Sequence, residues 1–136
     1  MAERVMYVYQ GDIVTTYFSH PKAILPVLLN TGEIKLIPWG RHKTQSGELP
    51  FGGWARLSTI KKGQWDAYFR KPVKIPILKF LEKDFEGSSH WFDITKGKWI
   101  QGLLVQEGNE LRIYIVTITP ELSTMQFNRW PRIMSG

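Results

Sequence analysis

A chain of 136 residues can bury one hydrophobic core but not two, so a single domain spanning residues 1–136 is expected. Its 43% hydrophobic and 13% aromatic residues exclude a disordered chain, and 18 Lys and Arg against 12 Asp and Glu leave a charge of +6, a bias toward polyanions of which nucleic acid is the commonest. The absence of cysteine excludes disulfides and thiolate metal sites. No apolar run has the length of a membrane span, and MAERV lacks the apolar stretch of a signal peptide, so a cytoplasmic protein is expected, monomeric and without membrane, metal or cofactor.

In chain order, the small residue Ala2 permits removal of the initiating Met, which would leave an α-amine with an unperturbed pKa near 8. Val5 to Tyr9 has strand composition, Gln10-Gly11-Asp12 is a turn, and Thr15 to Phe18 continues as a second short strand. Ser19-His20-Pro21 offers a helix start leading into KAILPVLLN, which Pro26 keeps short; His20 reads as a cap or surface residue. Thr31-Gly32 turns the chain into Glu33 to Pro38, an alternating strand. Trp39, directly after it, is either a core plug or a platform on which a base stacks. Arg41, His42 and Lys43 form a basic cluster, and the polar, Gly-containing loop that runs on through Gly53 is expected to be mobile.

WARLSTI (Trp54 to Ile60) precedes a basic turn, Lys61-Lys62-Gly63, and Gln64 to Arg70 is expected to form one or two helical turns. The chain is organised around Val73 to Glu82, read as one strand with Val73, Ile75 and Ile77 on one face. Glu82 follows an apolar run, and is either a solvated turn residue or a carboxylate whose burial raises its pKa for acid–base work. After a hairpin connection, strands are expected at His90 to Ile94, Trp99 to Val105 and Leu111 to Thr119, the last being the strongest strand signal in the chain. Trp65, Trp91 and Trp99 are expected in the core. The fold class is therefore α+β: mostly antiparallel sheet, or a partly closed barrel, with a few short helices.

Blocks spread in order along nearly the whole chain are similar to the SOS response associated peptidase (SRAP) family. Arg4 stands at the arginine of the family's M-C-G-R opening. Leu36-Ile37-Pro38-Trp39 resembles its L-I-P-x-W segment, and Ala55, Arg56, Thr59 and Ile60 match N-A-R-A-E-T-I. Phe69 and Arg70 lead into Ile75, Pro76, Phe80 and Glu82, which keep the proline-to-glutamate spacing of V-P-A-D-G-F-Y-E-W. Gly102 and Leu103 resemble its A-G-L-W strand, Leu111 to Thr119 its T-I-I-T-T strand, and Arg129, Pro131 and Ile133 its H-x-R-M-P-V-I-L tail. The family's reactive residues are replaced, the cysteine by Ala2, the asparagine by Trp54 and the histidine by Phe127, and so are the glutamate of N-A-R-A-E-T-I by Ser58 and the aspartate, glycine and final tryptophan of V-P-A-D-G-F-Y-E-W by Leu78, Lys79 and Lys83.

The resemblance implies an SRAP-like fold and recognition of single-stranded or abasic-site DNA, with family chemistry comprising autopeptidase action and covalent DNA–protein crosslinking through a thiazolidine. Here Ala2 and Glu82 would carry what chemistry remains, and Arg4, Trp39, Trp54, Arg56, Arg129 and Trp130 would hold the DNA. An N-terminal alanine supplies an amine only, so a reversible Schiff base is conceivable where the family's ring closure is not; alternatively Ala2 stands where a native cysteine was replaced. From a different class, the chain is a noncatalytic module holding nucleic acid, or a protein partner, on Trp39, Trp54 and Trp130 and on Arg41, Arg56, Arg129 and Arg132. His90 is a candidate to stand near the site in place of the missing histidine. Either DNA reading requires the N-terminus, the Trp54 to Thr59 segment, Glu82 and the Arg129 tail to meet in one groove.

Overall fold

The chain opens with a hairpin. Gln10 and Gly11 both adopt positive φ (51° and 86°), the mirror-image turn whose twist suits two antiparallel strands, and it joins β1 (Arg4–Tyr9) to β2 (Asp12–Tyr17). Along β1, Val5 and Tyr7 point inward while Arg4 and Val8 face out. β1 also pairs with β7 (Lys79–Lys83), and β7 with β8 (Ser89–Asp93), giving a four-stranded antiparallel sheet in the order β2-β1-β7-β8. This computed structural model describes residues 1–121 and 125–136.

The remaining described strands form a larger sheet, β11-β10-β9-β6-β3-β4, with β5 alongside β10 and β12 alongside β9. They are β3 (Ile24–Leu28), β4 (Ile34–Pro38), β5 (Trp54–Arg56), β6 (Lys71–Ile75), β9 (Lys98–Glu107), β10 (Glu110–Ile118), β11 (Trp130–Pro131) and β12 (Ile133–Ser135). Only the β5–β10 pairing is parallel among these ladders. Helix α1 (Leu57–Lys61) and a 3-10 turn (Asp66–Tyr68) complete the described elements. The fold is thus α+β and dominated by antiparallel sheet. The end of β4 meets β10 at one bridge, Trp39 to Ile113, but no ladder among the described residues closes the sheet into a barrel.

Two expectations are corrected. The segment after Ser19-His20-Pro21 is a strand, β3, and not a helix: Pro26 has no N–H for a helical ladder, and Leu25, Pro26 and Val27 are all buried. His20 still caps a turn, its Nδ1 accepting from the Lys22 N–H at 3.1 Å. The segment from Val73 to Glu82 is two strands in different sheets. β6 ends at Ile75, Pro76 brings no N–H, and the chain crosses over so that the Leu78 N–H reaches the Met6 carbonyl at 2.7 Å and β7 begins. The predicted helical turns at Gln64 to Arg70 appear as the 3-10 turn alone.

The main core lies between the two sheets, with Val5, Tyr7 and Phe80 from the smaller meeting Leu25, Ile75, Ile100, Ile113 and Ile115 from the larger. A second cluster covers the opposite face of β9 and β10, where Tyr114 and Val116 pack on Leu49, Ile60 and Trp65. β10 is therefore buried on both faces, which explains its near-unbroken run of branched and aromatic residues.

Candidate functional site

Glu82 lies in β7 on the same face as Phe80, so strand alternation drives its side chain into the space between the sheets, where it is 0% exposed. The N-terminal segment runs past it: the Glu3 carbonyl accepts from the Phe18 N–H at 2.9 Å, and the Ala2 carbonyl accepts from the Trp54 indole Nε1–H at 3.1 Å. These two bonds anchor the segment so that the Met1 ammonium sits 2.8 Å from Glu82 Oε1. Glu82 Oε2 has no hydrogen-bond partner among the described residues. Burial raises the Glu82 pKa to about 7; the ammonium, by hydrogen bond and by charge, pulls it down, Glu3 pushes it up and Arg129 pulls it down.

Arg129 reaches the same place from the tail. Its Nε and Nη2 both donate to Thr117 Oγ1 of β10, at 3.0 and 2.6 Å, and its Nη1 contacts Met1 Sδ at 3.2 Å. Burial, and then repulsion from Arg56, lower its pKa to about 10 against the pull of Glu82; the guanidinium stays charged at neutral pH. Arg56, at the start of α1, is exposed and flanked by two shallow clefts. One, of about 250 Å³, lies between Trp54, Thr59, Gln64 and Arg129; the other, of about 240 Å³, is lined by Ser58, Lys61, Thr117 and Thr119. A buried acid poised near neutrality, the terminal ammonium and the Arg129 guanidinium thus meet, with Arg56 beside Arg129 at the neighbouring cleft.

Other expected residues are placed differently. Arg4 pairs with Leu81 in the β1–β7 register and so faces away from Glu82, its guanidinium lying 4.7 Å over the Tyr17 ring. Trp39 is a core residue, 1% exposed with its Nε1–H given to the Gly53 carbonyl at 3.0 Å, and has no face to offer a base. Trp54 is half-buried, tilted against Phe18 and edge-on to Trp39, while its rim reaches the cleft. Trp130 is half-buried among Phe80, Phe92 and Phe127. Trp65 is in the core as expected, but Trp91 is 42% exposed and Trp99 is half-buried beneath Lys74.

Phe127 is buried at 2% exposure, and His90, opposite Glu82 in the β7–β8 register, stands edge-on to it. The His90 imidazole is held at 2.8 Å by Asp84, whose carboxyl is kept below the usual range by that bond. The basic cluster is split: Arg41 turns inward to donate to the carbonyls of Leu49 and Gln45, and His42 stacks on Phe18. The loop it opens is therefore tied at its centre. Ala2 is fully buried, and with Met1 in place its nitrogen is a peptide nitrogen. Sequence reasoning missed the anchoring role of Thr117, although a small hydroxyl residue among the aliphatic and aromatic side chains of Ile113 to Ile118 is the signal that could have found it.

Among the described residues no group of three or more His, Asp or Glu could hold a metal ion. No helix of the described chain is long and apolar enough to cross a membrane. Compared with protein-family models, with curated proteins and with solved structures, the chain finds no match.

Proposed function

We propose that the chain is an SRAP-like protein that recognises single-stranded DNA and engages the aldehyde of an abasic site through its terminal amine. The observation that carries this reading is the 2.8 Å approach of the Met1 ammonium to a fully buried Glu82 whose pKa is about 7. Near neutrality the carboxylate can take a proton from the ammonium and free the amine to attack an aldehyde carbon; the resulting carbinolamine then loses its hydroxyl as water, using a proton returned by the carboxyl group. Removal of Met1 would transfer the amine to Ala2 and take from Glu82 the ion-pair partner it has here. With no thiol beside the amine the adduct stops at a reversible imine. Arg56 and Arg129 supply guanidiniums for the flanking phosphates.

Borohydride reduction during incubation with an abasic single strand should trap the protein on DNA as a secondary amine, with the attachment mapped by mass spectrometry to the terminal residue. Glu82→Gln should slow trapping by about 10²-fold or more. No adduct, or one on a lysine, would dismiss the imine. Ala2→Cys tests whether a thiol restores a heat-stable adduct once Met1 is removed. A noncatalytic reading is favoured by one observation, that the clefts around Arg56 are formed without the amine; it would hold if intact strands bind and no adduct forms.

A further inference from the structure

β3 and β6 share a ladder only at Leu28 and Lys74. Beyond that point β3 turns away, the Leu29 N–H closing back on the Glu33 carbonyl at 2.9 Å, while Pro72 of β6 has no N–H to offer a neighbour. The strands part and leave a wedge of about 910 Å³, the size of a small-molecule site. Its walls include the apolar side chains of Leu28, Val73, Leu104 and Met134. Lys71, Lys74 and Arg132 also line it, as do Asn30 and Gln101, and no carboxylate among the described residues does. Neither lysine makes an ion pair among the described residues: Lys74 Nζ rests 4.0 Å over the Trp99 ring, and Arg132 is aimed by a 2.7 Å bond from Nη1 to Gln101 Oε1.

We propose that this wedge binds a small amphipathic anion, an apolar or aromatic body bearing a phosphate or carboxylate. The apolar walls gain by covering the body; Lys74 and Arg132, on the Gln101 face of the sheet, are placed to meet the anionic head, while Lys71 lies on the other face of β6 and adds positive charge at the rim. The wedge shares no lining residue with the clefts around Arg56 and does not depend on the amine chemistry.

Thymidine monophosphate and decanoate, titrated separately, distinguish a nucleotide from an aliphatic source, and displacement of Lys74 from Trp99 provides a fluorescence signal that Trp99→Phe should remove. Saturable binding of either compound supports the site. Lys71→Glu with Lys74→Glu should weaken it at least about tenfold, whereas Lys22→Glu should leave it unchanged. Methyl NMR of the unmodified protein gives a reading free of folding effects, with Met134 and Leu104 expected to shift on titration and Met6 to stay. No saturable binding of either compound at millimolar concentration, or shifts that avoid Met134 and Leu104, would overturn the proposal.

Discussion

Glu82 is the residue on which the proposed chemistry turns, and its environment makes a stability prediction independent of any ligand. Its pKa rises from 4.5 to about 7 on folding, because burial disfavours the charged form more than the terminal ammonium favours it. A raised carboxyl pKa contributes stability that is fully present below pH 4.5 and lost as pH rises through 7, for a total of roughly 3 kcal/mol. Denaturant unfolding should therefore show stability falling across that window. Glu82→Gln, neutral at every pH, should flatten the fall and be the more stable protein at pH 8; an unchanged slope would show that another group titrates. An acid after a greasy run was legible in the sequence; Arg56 and Arg129 were named with it only through the family resemblance, and of the two it is Arg129 whose charge acts on Glu82. Arg4 was misplaced because a motif position does not reveal which face of a strand a side chain takes, and Trp54 was read as a loss when its indole donor fixes the backbone of Ala2.

At the scale of elements, local pattern served where burial was one-sided or total, as in β1, β9 and β10, and failed where proline had two outcomes. Pro26 argued for a short helix and sits in a buried strand; Pro76 was absorbed into one strand and marks the crossing between two sheets. Glycine at the end of β4 was not weighed in the sequence at all, yet Gly40 (φ 62°) brings the chain against the Gly52–Gly53 backbone, where Arg41 and Gly52 bridge. A Cβ at Gly40 would collide with the Gly52 carbonyl oxygen and the Gly53 Cα. Gly40→Ala should cost about 3 kcal/mol or more, since backbone must move, and should open the loop to proteolysis. Gly97, at φ 86° in an open turn with nothing within 4 Å of a new Cβ, is the control: Gly97→Ala should cost only the conformational strain, about 1 kcal/mol. Comparable melting shifts for the two would mean that the Gly40 approach is looser than drawn.

The whole molecule joins two sheets, and the candidate site exists only because they do: Glu82 comes from the smaller, Thr117 and Arg56 from the larger, and the tail brings Arg129 across. A charge of +6 spread over such a surface does not by itself define a DNA path, but its arrangement does make one measurable. If a single strand lies along the clefts shared by Arg56, Lys61 and Arg129, about three phosphates are neutralised, and log K against log salt should fall with a slope of about −2, at about −0.7 per phosphate. Arg56→Gln, at an exposed position, should reduce that slope by about 0.7 without altering stability. Glu82→Gln should leave the slope intact, since a buried carboxyl displaces no counterion, while suppressing borohydride trapping. The two variants thereby separate holding the strand from reacting with it. A steep slope insensitive to Arg56 would move the path elsewhere on the surface, and a slope near zero would end the nucleic-acid reading in favour of an uncharged partner.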